Sequence, residues 1–154
     1  MTTAHQGGPV FSLDKIYVKD ISLEIPHAPE VFLKREQPQI SLNINYVTNE
    51  LKDNLYQTVL RATIDAKIGE EQMFLIEVEQ AGIFQMSNIP KEQMDLLQNI
   101  ECPNTLFPYL REAVTDLTVR AGFLPVVLAP INFAVLYQQK QQAIADGTTN
   151  VTIN

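Results

Sequence analysis

Two carboxylates four residues apart in "KDISLE", Asp20 and Glu24, and two more in "LIEVEQ", Glu77 and Glu79, have the spacing to act together. On an extended chain Asp20 and Glu24 share one face about 13 Å apart. That is too far for two acids to divide acid and base work on one bond, and it suits a distributed acidic surface. Pattern alone reads these acids as the wet face of strands, and a binding face for a basic partner is the functional alternative. Cys102, in "IECPN", lies beside Glu101 with no histidine near it in sequence. An acidic neighbour opposes the thiolate, so a buried, inert thiol is expected. His27, between Pro26 and Ala28, is a loop histidine with no visible partner and reads as solvated. With His5 as the only other imidazole there is no zinc-ligand spacing, and no metal site is expected. The sequence contains no glycine-rich phosphate loop, no G-x-S-x-G and no H-E-x-x-H.

These residues sit in a chain of 154 residues with a formal charge of −7. One domain of that size hides roughly 70% of its unfolded surface, so neither disulfides nor metals are needed. One cysteine suits a reducing compartment, and no signal-peptide pattern or run of about 20 apolar residues appears. A cytoplasmic, soluble protein is expected, with no direct membrane insertion. Its charge repels nucleic acid, and a partner bound by charge should be basic.

The apolar period changes once along the chain. Ile21, Leu23 and Ile25 alternate with Asp20, Ser22 and Glu24. Ile40, Leu42, Ile44 and Tyr46 alternate with Ser41, Asn43 and Asn45. Leu60, Ala62, Ile64 and Ala66 oppose Arg61, Thr63, Asp65 and Lys67, and Phe74, Ile76 and Val78 oppose Leu75, Glu77 and Glu79. Four two-faced strands argue for an antiparallel sheet. After Phe84 the period becomes helical. Ser87 is the expected cap of a short helix carrying Met94, Leu97 and Ile100. Asn104 is the expected cap of a longer one with Leu106, Leu110, Val114, Leu117 and Ala121 in a stripe, some distortion at Pro108, and Gly122 as its stop. Asn132 caps a last helix bearing Phe133, Leu136, Tyr137 and Ile144. Strands followed by helices predict an α+β domain over 13–145, with flexible tails at 1–12 and 146–154.

Two connections are unusual. "PHAPEVFLKREQPQ", 26–39, has three prolines and no tight-turn signal, so it is expected to cross over and carry strand two elsewhere in the sheet. It bears Val31 and Phe32, and leaving a Phe exposed forgoes about 2 kcal/mol, so both should lie on apolar surface. "AGFLPVVLAPINF", 121–133, is apolar yet broken by Pro125 and Pro130, which keep it from becoming strand or helix.

"IYVKDISLEIPHAPEVF" (16–32), "GEEQMFLIEVEQAGIF" (69–84), "CPNTLFPYLREAV" (102–114) and "LAPINFAVLY" (128–137) resemble the SecB family of bacterial export chaperones. The resemblance runs from about residue 13 to about 140. It implies a four-stranded antiparallel sheet with a crossover loop after strand one and helices packed on one face. It also implies a homotetramer, a dimer of dimers, that catalyses no reaction and needs no cofactor. Such a chaperone holds unfolded secretory precursors and delivers them to the translocation ATPase SecA. Positions matching the family's acidic face for SecA's basic, zinc-containing tail are Asp20, Glu24, Leu75 and Glu77; the zinc belongs to SecA. Ile76, Val78 and Gln80 match positions that affect packing and assembly, with isoleucine at 76 where some relatives carry cysteine. The end "DGTTNVTIN" is less acidic than is usual in the family. Four chains at −7 each carry a formal −28, a field that speeds encounter with a basic partner and weakens with salt.

For clients the resemblance implies an apolar groove between the crossover loop, the sheet and the last helix. The expected lining is Val31, Phe32, Ile40, Leu42, Ile44, Phe107, Phe123, Val126, Leu128, Phe133, Leu136 and Tyr137. Core packing is the competing role for each. A groove reading exposed apolar segments, with backbone pairing, accepts many unfolded chains and rejects folded ones. Two rival readings are a SecB-like chaperone dedicated to one partner such as an antitoxin, and a carrier or enzyme for a small apolar ligand. The latter needs a convergent polar set that the sequence does not display.

Overall fold

The computed structural model describes residues 7–146. Four long strands, β1 (Val10–Glu24), β2 (Gln39–Lys52), β3 (Leu55–Ile68) and β4 (Glu71–Ser87), form one antiparallel sheet in the order β1-β4-β3-β2. Strands consecutive in sequence, β1 and β2, therefore lie at opposite edges, as the proline-rich crossover required. The two hairpins turn through Asn54 and Gly69, with φ of 66° and 61°, the left-handed region that asparagine and glycine enter at least cost. β1 starts at Val10, inside the stretch expected as a tail. Most of the C-terminal tail, 147–154, lies outside the described residues, as do residues 1–6.

The register puts each expected apolar set on one face. Ile21, Val78, Ala62 and Ile44 line up across the sheet, as do Leu23, Ile76, Ile64 and Leu42. Against this face pack α1 (Lys91–Leu96), a π-helical turn Leu97–Glu101 and α2 (Cys102–Arg120), which run on from one another, followed by α3 (Phe133–Ala145). Two expected caps fail here. Pairing continues to Ser87, opposite Val10, so the chain turns at Asn88 (φ 56°) and α1 begins after Pro90 without a side-chain cap. Asn104 lies inside the helix because Glu101 and Cys102 are already helical. The helix continues through Pro108, and the irregular turn falls upstream at Leu97–Glu101.

Leu106, Leu110 and Val114 of α2 are fully buried with Phe74, Phe84, Ile76 and Val78 of the sheet. Each such side chain contributes about 1.5–3 kcal/mol of transfer free energy. Gly82 makes the approach possible: a Cβ there would stand 2.9 Å from Leu106 Cδ2. The crossover loop closes over the same core through a 3-10 turn, Glu30–Leu33, which buries Val31. Lys34 at its end bonds Glu71 at the start of β4 at 2.6 Å and holds that carboxyl below its usual range.

Candidate functional site: an acidic sheet face and an aromatic groove

The face of the sheet turned away from the helices is built in rows. Asp20, Glu79, Arg61 and Asn45 form one, Ser22, Glu77, Thr63 and Asn43 the next, and Glu24, Leu75, Asp65 and Ser41 a third. Residues opposed in an antiparallel pair have Cβ atoms about 4.5–5.5 Å apart, so the four residues expected to receive SecA share one patch. Period-2 geometry merges two strands' acids that are more than fifty positions apart in sequence. Asp65, on β3, extends the patch; its pairing with Leu75 could not be read without the register. Two basic side chains are drawn in: Arg61 lies 3.6 Å from Glu77 and 3.9 Å from Glu79, and Lys67 lies 3.7 Å from Asp65.

Ile76, Val78 and Gln80 occupy the opposite face and are buried within the chain, at 0%, 0% and 4% exposure. Gln80 donates to the Tyr17 carbonyl at 3.0 Å, tying β4 to edge strand β1. Their side chains are therefore not exposed for direct contact with another chain.

The expected groove residues divide in two. Val31, Ile44, Phe107, Leu128, Phe133 and Leu136 are buried members of the core. Phe32 and Ile40 are each 47% exposed, and Leu42, Phe123, Val126 and Tyr137 are half-buried. The open part is organised by aromatic contacts. Phe123 of the linker between α2 and α3 lies between Phe32 of the crossover loop, 5.1 Å between centroids, and Phe74 of β4, 4.8 Å. Gly122, at φ +90°, ends α2 and lets Phe32 approach, since a Cβ there would be 3.1 Å from the Phe32 ring. A second group joins Tyr46 of β2 to Phe133 and Phe133 to Phe107, both edge to face. Phe74 and Tyr46 were absent from the expected lining, although their parity with Ile76 and with Ile40, Leu42 and Ile44 pointed to this side.

At the second group's rim is a cleft of about 150 Å³ lined by Tyr46, Val47, Thr48, Gln98, Asn99 and Lys140. Tyr46 donates to Asn99 Oδ1 at 3.1 Å, and burial, with Tyr137 nearby, pushes its pKa up to about 12. The Lys140 ammonium stands 4.4 Å from the Tyr46 ring centroid, and desolvation lowers its pKa. Burial favours the neutral phenol, and the position of Lys140 over its ring face is the geometry of a cation–π contact.

The linker itself is held by hydroxyls. Thr118 Oγ1 accepts the Val126 N–H at 3.0 Å and donates to the Thr115 carbonyl at 2.8 Å, while Thr115 Oγ1 donates to the Val126 carbonyl at 2.8 Å. Asn132 Oδ1 then accepts the Val135 N–H at 3.2 Å, the expected cap of α3. Cys102 is buried, and desolvation raises its thiol to about 12, which leaves it inert at neutral pH. Among the described residues no group of three or more His, Cys, Asp or Glu side chains is placed to hold a metal ion, and no helix is long and apolar enough to cross a membrane.

The architecture is a crossed-over antiparallel sheet with helices on one face. It matches the solved structure of a SecB-like chaperone of Mycobacterium tuberculosis in complex with a ChAD peptide from the HigA1 antitoxin. That likeness has a TM-score of 0.63 at 16% identity over 79% of this chain and 87% of the other, a likeness of fold. Sequence carries the relation further. Residues 4–144 match the family model described as preprotein translocase subunit SecB. The protein-export protein SecB of Methylobacillus flagellatus is 49% identical over 148 residues, covering 95% of this chain and 94% of that one. The SecB of Neisseria meningitidis is 51% identical over 140 residues, 90% and 95% of the two chains. The chain belongs to the SecB family.

Proposed function

We propose that this chaperone binds unfolded precursors of exported proteins in the groove formed by the crossover loop, the β2 edge and the α2–α3 linker, and delivers them to SecA. The observation that carries the reading is the aromatic contact of Phe32, Phe123 and Phe74. It joins three segments distant in sequence and leaves Phe32 47% exposed, and β2 is an edge strand free to pair. A chain with exposed apolar side chains and unpaired backbone gains from both features, and a folded protein offers neither. The acidic rows on the other face take SecA's basic tail, so client and SecA occupy opposite sides of one sheet. The working form is a cytoplasmic homotetramer, supported by exposed Phe11, Leu13, Val18 and Ile21 along the free β1 edge.

Light scattering during titration with a denatured secretory precursor, and separately with its folded form, tests this reading. Tight binding of the denatured form alone is expected, to a particle of four chains. Equal affinity for both forms, or for neither, overturns it.

A further inference from the structure

Between Leu124 and Ile131 the linker makes no backbone–backbone hydrogen bond among the described residues. Its polar anchorage is at one residue, Val126, whose N–H and carbonyl are both taken by threonine hydroxyls of α2. Thr118 is fully buried, and its bond back to the Thr115 carbonyl aims a lone pair at the Val126 N–H. On either side exposed and held residues alternate: Leu124 is 87% exposed and Val127 69%, while the Phe123 N–H bonds the Thr118 carbonyl at 3.1 Å and Leu128 is buried in the core. Three residues before the anchor, Phe123 fills the slot between Phe32 and Phe74.

Resting on the client-binding reading above, we propose that Thr115 and Thr118 form a latch that holds the linker's own Phe123 in the aromatic slot until a client displaces it. The empty protein thereby covers with its own ring the apolar surface that an unfolded chain requires. Two neutral hydrogen bonds suit a latch. Each biases an open–closed equilibrium by roughly five- to tenfold, enough to favour closure and little enough for client binding to overcome. Release swings Phe123 out as part of the lining, so one side chain covers the slot and then contacts the client. Thr115 and Thr118 are positioning residues in this scheme and need not touch the client.

The test compares full-length wild type with Thr118→Val, which keeps the shape and removes the hydroxyl, and Thr118→Ser, which restores it. Amide exchange at Val126 and stopped-flow association of reduced, carboxymethylated α-lactalbumin are read together. Thr118→Val is expected to exchange at least fivefold faster there and to bind the probe several-fold faster, with both values returning toward wild type in Thr118→Ser. Faster exchange with unchanged or slower association overturns the latch, as does unchanged exchange. If Thr118→Val loses cooperative unfolding, Thr115→Val, which frees only the Val126 carbonyl, is read by the same two measurements. A wild-type protein that binds no unfolded probe removes the client-binding reading and the latch with it, a result distinct from a binding wild type with an indifferent variant.

Discussion

Arg61 Nη2 stands 3.6 Å from Glu77 Oε1, one row away from Glu79, the residue Arg61 faces across the ladder. The guanidinium neutralises part of the acidic face, and a basic partner docking there must compete with it. Replacing Arg61 by Gln should tighten binding of SecA's basic tail peptide a few-fold and steepen its salt dependence, whereas Glu77→Lys should weaken binding and leave clients unaffected. Calorimetric titration at two salt concentrations measures both. Folding stability should move by no more than about 0.5 kcal/mol, since these pairs are solvent-screened. Unchanged affinity in both variants would remove this face as the docking site.

Gly82→Ala should be costly. Its Cβ would meet Leu106 at 2.9 Å and Phe84 at 3.1 Å, both fully buried, and the more exposed Leu13 at 3.3 Å. Overpacking of this kind costs about 1–3 kcal/mol, read as a lower urea midpoint at an unchanged slope.

Stability should fall in alkali through Cys102. Its folded pKa, about 12, lies above the ordinary 9.0, so between those values the folded state holds a proton that the unfolded state has released. The native form thus binds more protons there, and unfolding free energy drops with rising pH, by at most about 1.4 kcal/mol per pH unit for one group. Tyr46, raised from 10.0 to about 12 by burial, adds to the decline above pH 10. Urea midpoints from pH 7 to 10.5 should show the fall, and Cys102→Ala should flatten its first part.

Asn132→Ala removes the acceptor of the Val135 N–H at the start of α3. A lost N-cap costs about 1 kcal/mol, and α3 buries only Phe133 and Leu136. Faster amide exchange in its first turn is expected, with the sheet unaffected.

Much of this was legible because period-2 alternation is a local signal. The parity of Ile21, Leu23, Ile64, Ile76 and Val78 assigned both faces of the sheet, and three prolines announced the crossover. The β2–β3 hairpin was not legible: Val47 and Leu51 break the parity set by Tyr46, and a register shift lies between Glu50 and Lys52. Helix starts failed where strand pairing to Ser87 and helical backbone at Glu101 overrode good capping residues. In the groove, nothing in the sequence separates Val31, 1% exposed, from its neighbour Phe32, 47% exposed. That division depends on which neighbour faces the linker. The threonine latch was invisible because Thr115 and Thr118 look like ordinary helix-surface polar residues until the linker folds back on them.

The strand order has a consequence in time. β1 is made first but pairs only with β4, Val10 opposite Ser87. At about 5–20 residues per second of synthesis, the roughly 60 residues separating typical partners take about 3–12 s to follow. For those seconds the nascent chain carries an edge-forming strand rich in exposed Phe, Leu, Val and Ile with nothing to pair with. During its own birth the protein is a polypeptide of the kind it later shelters.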